Sequence, residues 1–388
     1  MSPPVPDAIA ILADLVRFRS LSGRSNLDII GYMTDILRRH GVAFSLDFDD
    51  QRRRANLFAT IGPSVDGGVA LSGHTDVVPV EGQAWTRPPF ELTREGERLY
   101  GRGATDMKGF LACALAMVPR FARADLARPV HLAFTYDEEP GSIGAPGLAR
   151  HIIAHGPRPA AVIVGEPTEG KVVVGHKGGF EMRTRFRGVP AHSSDPARGV
   201  SAIHWAARFV VFLDNLGRRM AADADPASAF RPPCNTVNVG VMRGGAGRSI
   251  IAEDCALDWE LRVTPPDDGR AAMARIMRWL ARAEAEMQAA CPRAAIMTET
   301  ISRYPGLAFD PTSPALAIVR AASGVDACET VPFGADAGCF AREGLPAVLF
   351  GPGSIRQAHV PDEHIEIAEI ASCLRFLERL GERLAASA

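Results

Sequence analysis

Apolar residues recur along this chain in two rhythms. Four short stretches, Val69–Ser72, Val130–Tyr136, Ala161–Val164 and Ala347–Phe350, are almost continuously apolar, as strands buried on both faces require. Between the first three lie Asp106–Arg123 and Ala145–His155, which read as helices. Strand–helix alternation predicts an α/β domain with a mixed, largely parallel sheet covered by helices. The middle of the chain differs. Phe180–Arg187, Asn235–Met242 and Ala256–Val263 alternate apolar and polar residues, the pattern of half-exposed strands. Helices are expected over Gly199–Leu216 and Asp267–Ala289, and a last strand near Ala295–Ile301. The order β-α-β-β-α-β is that of an α+β, ferredoxin-like domain. The organisation expected is therefore a discontinuous domain, residues 1–179 and 305–388, into which residues 180–304 are inserted.

Composition narrows the partners. Of 388 residues, 47% are apolar and 23% charged, and the formal net charge is −2. That is an ordinary globular balance without the basic excess that nucleic acid or an anionic membrane attracts. No stretch of 18 apolar residues occurs, so no spanning helix is expected. Ile9–Val16 is broken by Asp14 and lacks a basic leader, and it reads as an amphipathic helix, not a signal peptide. Seven cysteines stand far apart with no C-x-x-C pair, which suits reduced thiols in the cytoplasm better than a disulfide framework.

Polar residues at the expected strand ends carry the chemistry. His74-Thr75-Asp76 follows the first apolar run, Asp137-Glu138-Glu139 the second, Glu166 the third, and His359 lies beyond the fourth. Ligands of open α/β sheets bind outside the carboxyl ends of the strands. Asp106 follows the turn Gly101-Arg102-Gly103 and opens a helix. Taken singly, Asp106 is an N-cap, Glu138-Glu139 a solvated loop, and each histidine an ordinary one. Taken together they converge on one sheet edge. His74 and His359 with Asp106, Glu139 and Glu166 suit two Zn²⁺-like ions if Asp106 bridges them, because the three carboxylates and a shared hydroxide cancel the metal charge. Glu138 is then left over as a general base and later acid, and Asp76 is placed to orient His74. Other motifs are weaker. His151 and His155 stand four apart but lack the glutamate of H-E-x-x-H, and Gly101-Arg102-Gly103 lacks the third glycine of a nucleotide loop.

At these residues the sequence resembles the dinuclear-zinc aminoacylase and carboxypeptidase family. The matching segments include SGHTDVVP (72–79), LYGRGATDMKGF (99–110), TYDEEPGSIGA (135–145), VGEPT (164–168), AHSSDPARGVSAI (191–203) and GPGSIRQAHVPDEHI (351–365). The last two point to the branch that deacetylates N-acetylornithine in arginine biosynthesis. The resemblance implies a catalytic domain holding two divalent ions, zinc or cobalt, on His74, Asp106, Glu139, Glu166 and His359, with Glu138 as base. It also implies a cis peptide at Asp106–Met107, a lid that forms a homodimer, and a His192 that steadies the oxyanion of the partner subunit's reaction. Asn235 and Arg262 match positions that grip a substrate carboxylate. Asp336 stands where the branch carries another acid, and it is expected to read the ornithine ammonium. The small-molecule substrate implied is an N-acyl amino acid. Succinyl-diaminopimelate desuccinylase, dipeptidase, carboxypeptidase and broad aminoacylase activities, or metal-free binding on the same scaffold, are the alternatives.

Overall fold

The computed structural model describes residues 3–385. Helices α1 (Val5–Arg17) and α2 (Leu27–Arg39) precede strands β1 (Ala43–Phe48), β2 (Ala55–Ile61) and β3 (Val69–His74). Short strands β4 (Thr93–Glu95) and β5 (Arg98–Tyr100) lead to α3 (Gly109–Phe121), β6 (Val130–Thr135), α4 (Ala145–His155), β7 (Ala161–Val164) and β8 (Val172–His176). Then come β9 (Gly178–Arg187), α5 (Ala202–Ala222), β10 (Thr236–Gly244), β11 (Asp254–Val263), α6 (Arg270–Ala290) and β12 (Ala295–Tyr304). The chain ends through α7 (Pro314–Ser323), β13 (Cys328–Val331), α8 (Ala337–Arg342), β14 (Ala347–Leu349), β15 (His364–Glu366) and α9 (Ile367–Leu384).

Two compact units result. The first holds residues 1–175, 307–330 and 335–388, and the second holds 176–306 and 331–334. The first is built on an eight-stranded sheet of order β1-β2-β6-β3-β7-β14-β8-β13. Its centre is parallel, β6 beside β3, β3 beside β7, and β7 beside β14. The flanks are antiparallel, with β1 on β2, β2 on β6, and β14 on β8. The parallel strands are buried throughout, as a sheet covered on both faces demands. Helix α3 is apolar on nearly every side and is buried from Gly109 to Val118, so it is the central helix of this core.

The second unit is a four-stranded antiparallel sheet, β10-β11-β9-β12, in the expected chain order. One face of β9 and β11 carries Phe180, Met182, Phe186, Leu257, Trp259 and Leu261, and these pack with Phe209 and Leu213 of α5 and Ile276 and Leu280 of α6. The other face carries Arg183, Arg185 and Arg187, which are exposed. No helix among the described residues is long and apolar enough to cross a membrane. All seven cysteines are free thiols.

The predicted helix at Asp106 is corrected by the structure. Asp106 and Met107 have non-helical backbone angles, and α3 begins only at Gly109. The Asp106–Met107 peptide is cis. Asp106 therefore sits in a tight turn ahead of the helix and does not cap it.

Candidate metal centre

Strand ends in the first unit bring the acidic and imidazole groups together. His74 is the last residue of β3, Glu138 and Glu139 follow β6 by three and four residues, and Glu166 follows β7 by two. Because β3 lies between β6 and β7 in parallel, all three strands deliver these side chains to one sheet edge. Asp106 arrives from the turn before α3, and His359 from the loop after β14.

Asp106 stands between the two histidines. Its Oδ1 is 3.0 Å from His74 Nε2, and its Oδ2 is 3.3 Å from His359 Nε2. His359 Nε2 is also 2.9 Å from Glu139 Oε2. Ligand atoms of His74, Asp106 and Glu139 all lie within 4.8 Å of one another. Glu166 is 4% exposed. One oxygen each of Glu139 and Glu166 is buried without a hydrogen-bond partner. Two orphaned carboxylate oxygens beside two imidazoles form a donor set that a divalent cation satisfies and that protein groups do not. The residues present fit a pair of such ions, with one oxygen of Asp106 turned towards each side.

Electrostatics give the same picture. Burial opposes a charge on Asp106, yet hydrogen bonds from His359 and His74 hold its carboxyl below the usual range. Burial also pushes Glu139 up to about 7, with the Asp106 charge adding to it. Glu166 is raised by burial and then by Asp106, and Glu138 by burial and then by Glu166. Desolvation would lower His359, but its contacts with Asp106 and Glu139 raise it to about 10.

Asp76 plays a part that spacing did not reveal. His74 Nδ1 donates to the main-chain oxygen of Asp76 at 2.9 Å, while the Asp76 carboxylate is 3.6 Å away. The carboxylate instead accepts the N–H of Glu138 (3.0 Å), the N–H of Glu139 (3.3 Å) and the Ser22 hydroxyl (2.8 Å). The main-chain oxygen of Asp76 thus approaches His74 more closely than its carboxylate does. Sequence reasoning also missed Asp137. Its carboxylate accepts from Gly23 N and pairs with Arg54, which fixes the start of the Glu138 turn.

The remaining expected residues fall elsewhere. Asp336 is 1% exposed, and its Oδ2 accepts the Thr135 hydroxyl at 2.7 Å. It lies beneath the surface, and its charge acts on Glu138 and Glu166. In the second unit the Asn235 amide donates to Asp267 and accepts from Thr264 N. Arg262 donates to Tyr304 and pairs with Glu260 at 2.7 Å. His192 is exposed on the loop before α5. Its Nδ1 lies 2.7 Å from the Ser194 hydroxyl and 3.2 Å from the Ser194 N–H. His155 Nδ1 lies 3.2 Å from the main-chain oxygen of His151, and His151 Nε2 lies 2.7 Å from the Ser45 hydroxyl.

A covered α/β sheet with clustered carboxylates and imidazoles at its strand ends defines a metal-dependent hydrolase. The model of peptidase family M20/M25/M40 matches residues 70–383, and the chain belongs to that family. It is 33% identical over 382 residues to an acetylornithine deacetylase of Shigella sonnei (strain Ss046), with 94% of each chain covered. Among solved structures it resembles the M20 metallo-carboxypeptidase Sso-CP2 of Sulfolobus solfataricus, with a TM-score of 0.78, 18% identity, and coverage of 98% of this chain and 99% of that one. It also resembles YXEP of Bacillus subtilis, described as a dinuclear metal-binding peptidase of family M20, with a TM-score of 0.66, 16% identity and 99% of each chain covered.

Proposed function

We propose that this enzyme hydrolyses the amide of an N-acyl amino acid, N-acetyl-L-ornithine above others, giving ornithine and acetate. The observation that carries the reading is Asp106, whose two oxygens each face one histidine. The 33% identity to a curated acetylornithine deacetylase supports the choice of substrate. His74, Asp106, Glu139, Glu166 and His359 are the residues that would hold two divalent ions, zinc first and cobalt second. When bound, such ions polarise a carbonyl oxygen and lower the pKa of water at neutral pH.

The chain's own residues supply the rest. Glu138 takes a proton from the attacking water at its carboxylate and returns it to the leaving amine. Asp76 holds Glu138 through the main-chain N–H. His192 donates to the developing oxyanion. Dimerisation through the 180–304 domain, with His192 of each subunit serving the other's centre, completes the reading.

The test is a substrate profile of the purified, metal-loaded protein. N-acetylornithine, N-succinyl-diaminopimelate and dipeptides are compared by kcat/KM. N-acetylornithine is expected to lead, and a clear preference for either of the others overturns the substrate assignment while leaving the metal-dependent hydrolase class intact.

A further inference from the structure

Asp106 and His359 lie 253 positions apart in sequence, and on them depends the gap that an ion would fill. A continuous chain of side-chain hydrogen bonds connects the two loops that carry them. Glu363 Oε1 accepts the N–H of Thr105 at 3.0 Å and of Asp106 at 3.1 Å. Its Oε2 accepts Arg102 Nη1 at 2.7 Å, and both side chains are 1% exposed. Arg102 Nη2 donates to Gln83 Oε1 at 2.5 Å, and Gln83 Nε2 donates to the main-chain oxygen of His359 at 2.8 Å.

The direction of the Gln83 amide follows from its neighbours. Trp85 Nε1 also donates to Gln83 Oε1, at 2.9 Å. Arg102 and Trp85 can only donate, so the amide oxygen must face them and the NH2 must face His359. The Arg102 guanidinium lies over the Trp85 ring, 4.9 Å from its centroid, which fixes the fork in place. His359 has a backbone φ of +63°, a left-handed conformation that a histidine adopts at a cost and keeps only where its surroundings hold it. Gln83 is the group holding that carbonyl.

We propose that Gln83, acting with the Arg102–Glu363 pair, is a positioning residue that sets the separation of Asp106 and His359 and so the affinity of the ion on the His359 side. Its side chain bonds Arg102, Trp85 and the main chain of His359, not the ligand side chains. The proposal rests on the metal-dependent reading given above. A buried ion pair alone would be an ordinary structural device. Gln83 separates the two possibilities, because it is only partly buried and its removal leaves Arg102 paired with Glu363.

The variants are Gln83→Ala, which ends the chain at Arg102, and Gln83→Glu, which keeps the acceptor for Arg102 and Trp85 but has no donor for His359. Zinc is titrated into metal-free protein against a chromophoric chelator, and the melting temperature of each metal-free protein is measured beside it. Both variants are expected to keep one zinc as tightly as the unaltered protein and to bind the second 10- to 100-fold more weakly, with metal-free melting temperatures unchanged. Two zinc ions held at unaltered affinity in both variants overturn the proposal. So does an equal weakening of both ions with a lowered melting temperature, which marks a merely structural role. If the unaltered protein itself fails to bind two zinc ions, the metal-dependent reading falls and this proposal falls with it.

Discussion

The carboxylate of Asp76 accepts the backbone N–H of Glu138 at 3.0 Å, with its other oxygen turned to the N–H of Glu139. One side chain at the end of β3 therefore holds, at the end of β6, both the expected general base and an expected metal ligand. A buried N–H left without an acceptor costs about 1–3 kcal/mol, so Asp76→Ala should destabilise the turn. It should also weaken metal binding by roughly 10- to 100-fold and lower kcat. Asp76→Asn keeps one oxygen for the Glu138 N–H and should lose less on each count. Chelator competition and steady-state kinetics on the two variants check the order, and an Asp76→Asn as impaired as Asp76→Ala would refute it.

Glu139 meets His359 at 2.9 Å, while its neighbour Glu138 is anchored through its main-chain N–H on Asp76. On the reading proposed above, Glu139 is the ligand and Glu138 the base. Glu138→Gln should retain two metal ions while kcat falls by about 10²–10⁴. Metal content by elemental analysis and kcat at saturating substrate decide the matter. Loss of metal would make Glu138 a ligand, and retained turnover would remove it from the reaction.

The parts of this arrangement legible in the sequence are those encoded over a few neighbouring residues. The parallel strands β3, β6, β7 and β14 announce themselves because burial on both faces leaves them almost entirely apolar, and the polar residues at or just past their ends stand out. The flanking strand β1, AFSLDF, lies part-exposed along its length, so its short pattern carries little signal. The support around the site is different in kind. Asp76 meets an N–H 62 residues away, and Gln83 meets a carbonyl 276 residues away. Nothing in local periodicity reports such pairs. At Asp106 the apolar pattern of α3 runs straight through the tight turn, which is why a helix was expected three residues too early.

Gly165 stands directly before Glu166 and has no room for a side chain. A Cβ built there would lie 2.0 Å from Phe110 Cγ, inside the ring of a residue 1% exposed. Gly165→Ala must push the α3 ring or the Glu166 loop aside, at a cost of about 1–3 kcal/mol for overpacking. Lower stability and weaker metal binding are both expected. Phe110→Ala takes away the Cγ, Cδ1 and Cδ2 atoms that stand in the way, so the double variant should bind metal better than Gly165→Ala alone. Denaturant unfolding and chelator competition over the full double-mutant cycle measure the coupling, and simple additivity would show that the close approach is not what places Glu166.

His131 sits within β6 with no exposed surface, stacked on Phe58 at 5.1 Å between ring centroids and 3.0 Å from the Thr60 hydroxyl. Its Nε2 is buried without a partner. Burial lowers its pKa to about 4, against about 6.5 in an unfolded chain. Above pH 6.5 both states are neutral there, and His131 imposes no pH dependence. As the pH falls from 6.5 towards 4, the unfolded chain takes up a proton that the folded protein refuses, so stability declines. Linkage puts this loss at about 2 kcal/mol by pH 5 and about 3 kcal/mol by pH 4. His131→Gln keeps a polar group near Thr60 and does not titrate in this range. Urea unfolding at pH 7 and pH 5 should therefore show the unaltered protein losing about 2 kcal/mol more than the variant between the two conditions. Equal losses in the two proteins would mean that His131 is already protonated in the fold, or is reached by water within the sheet.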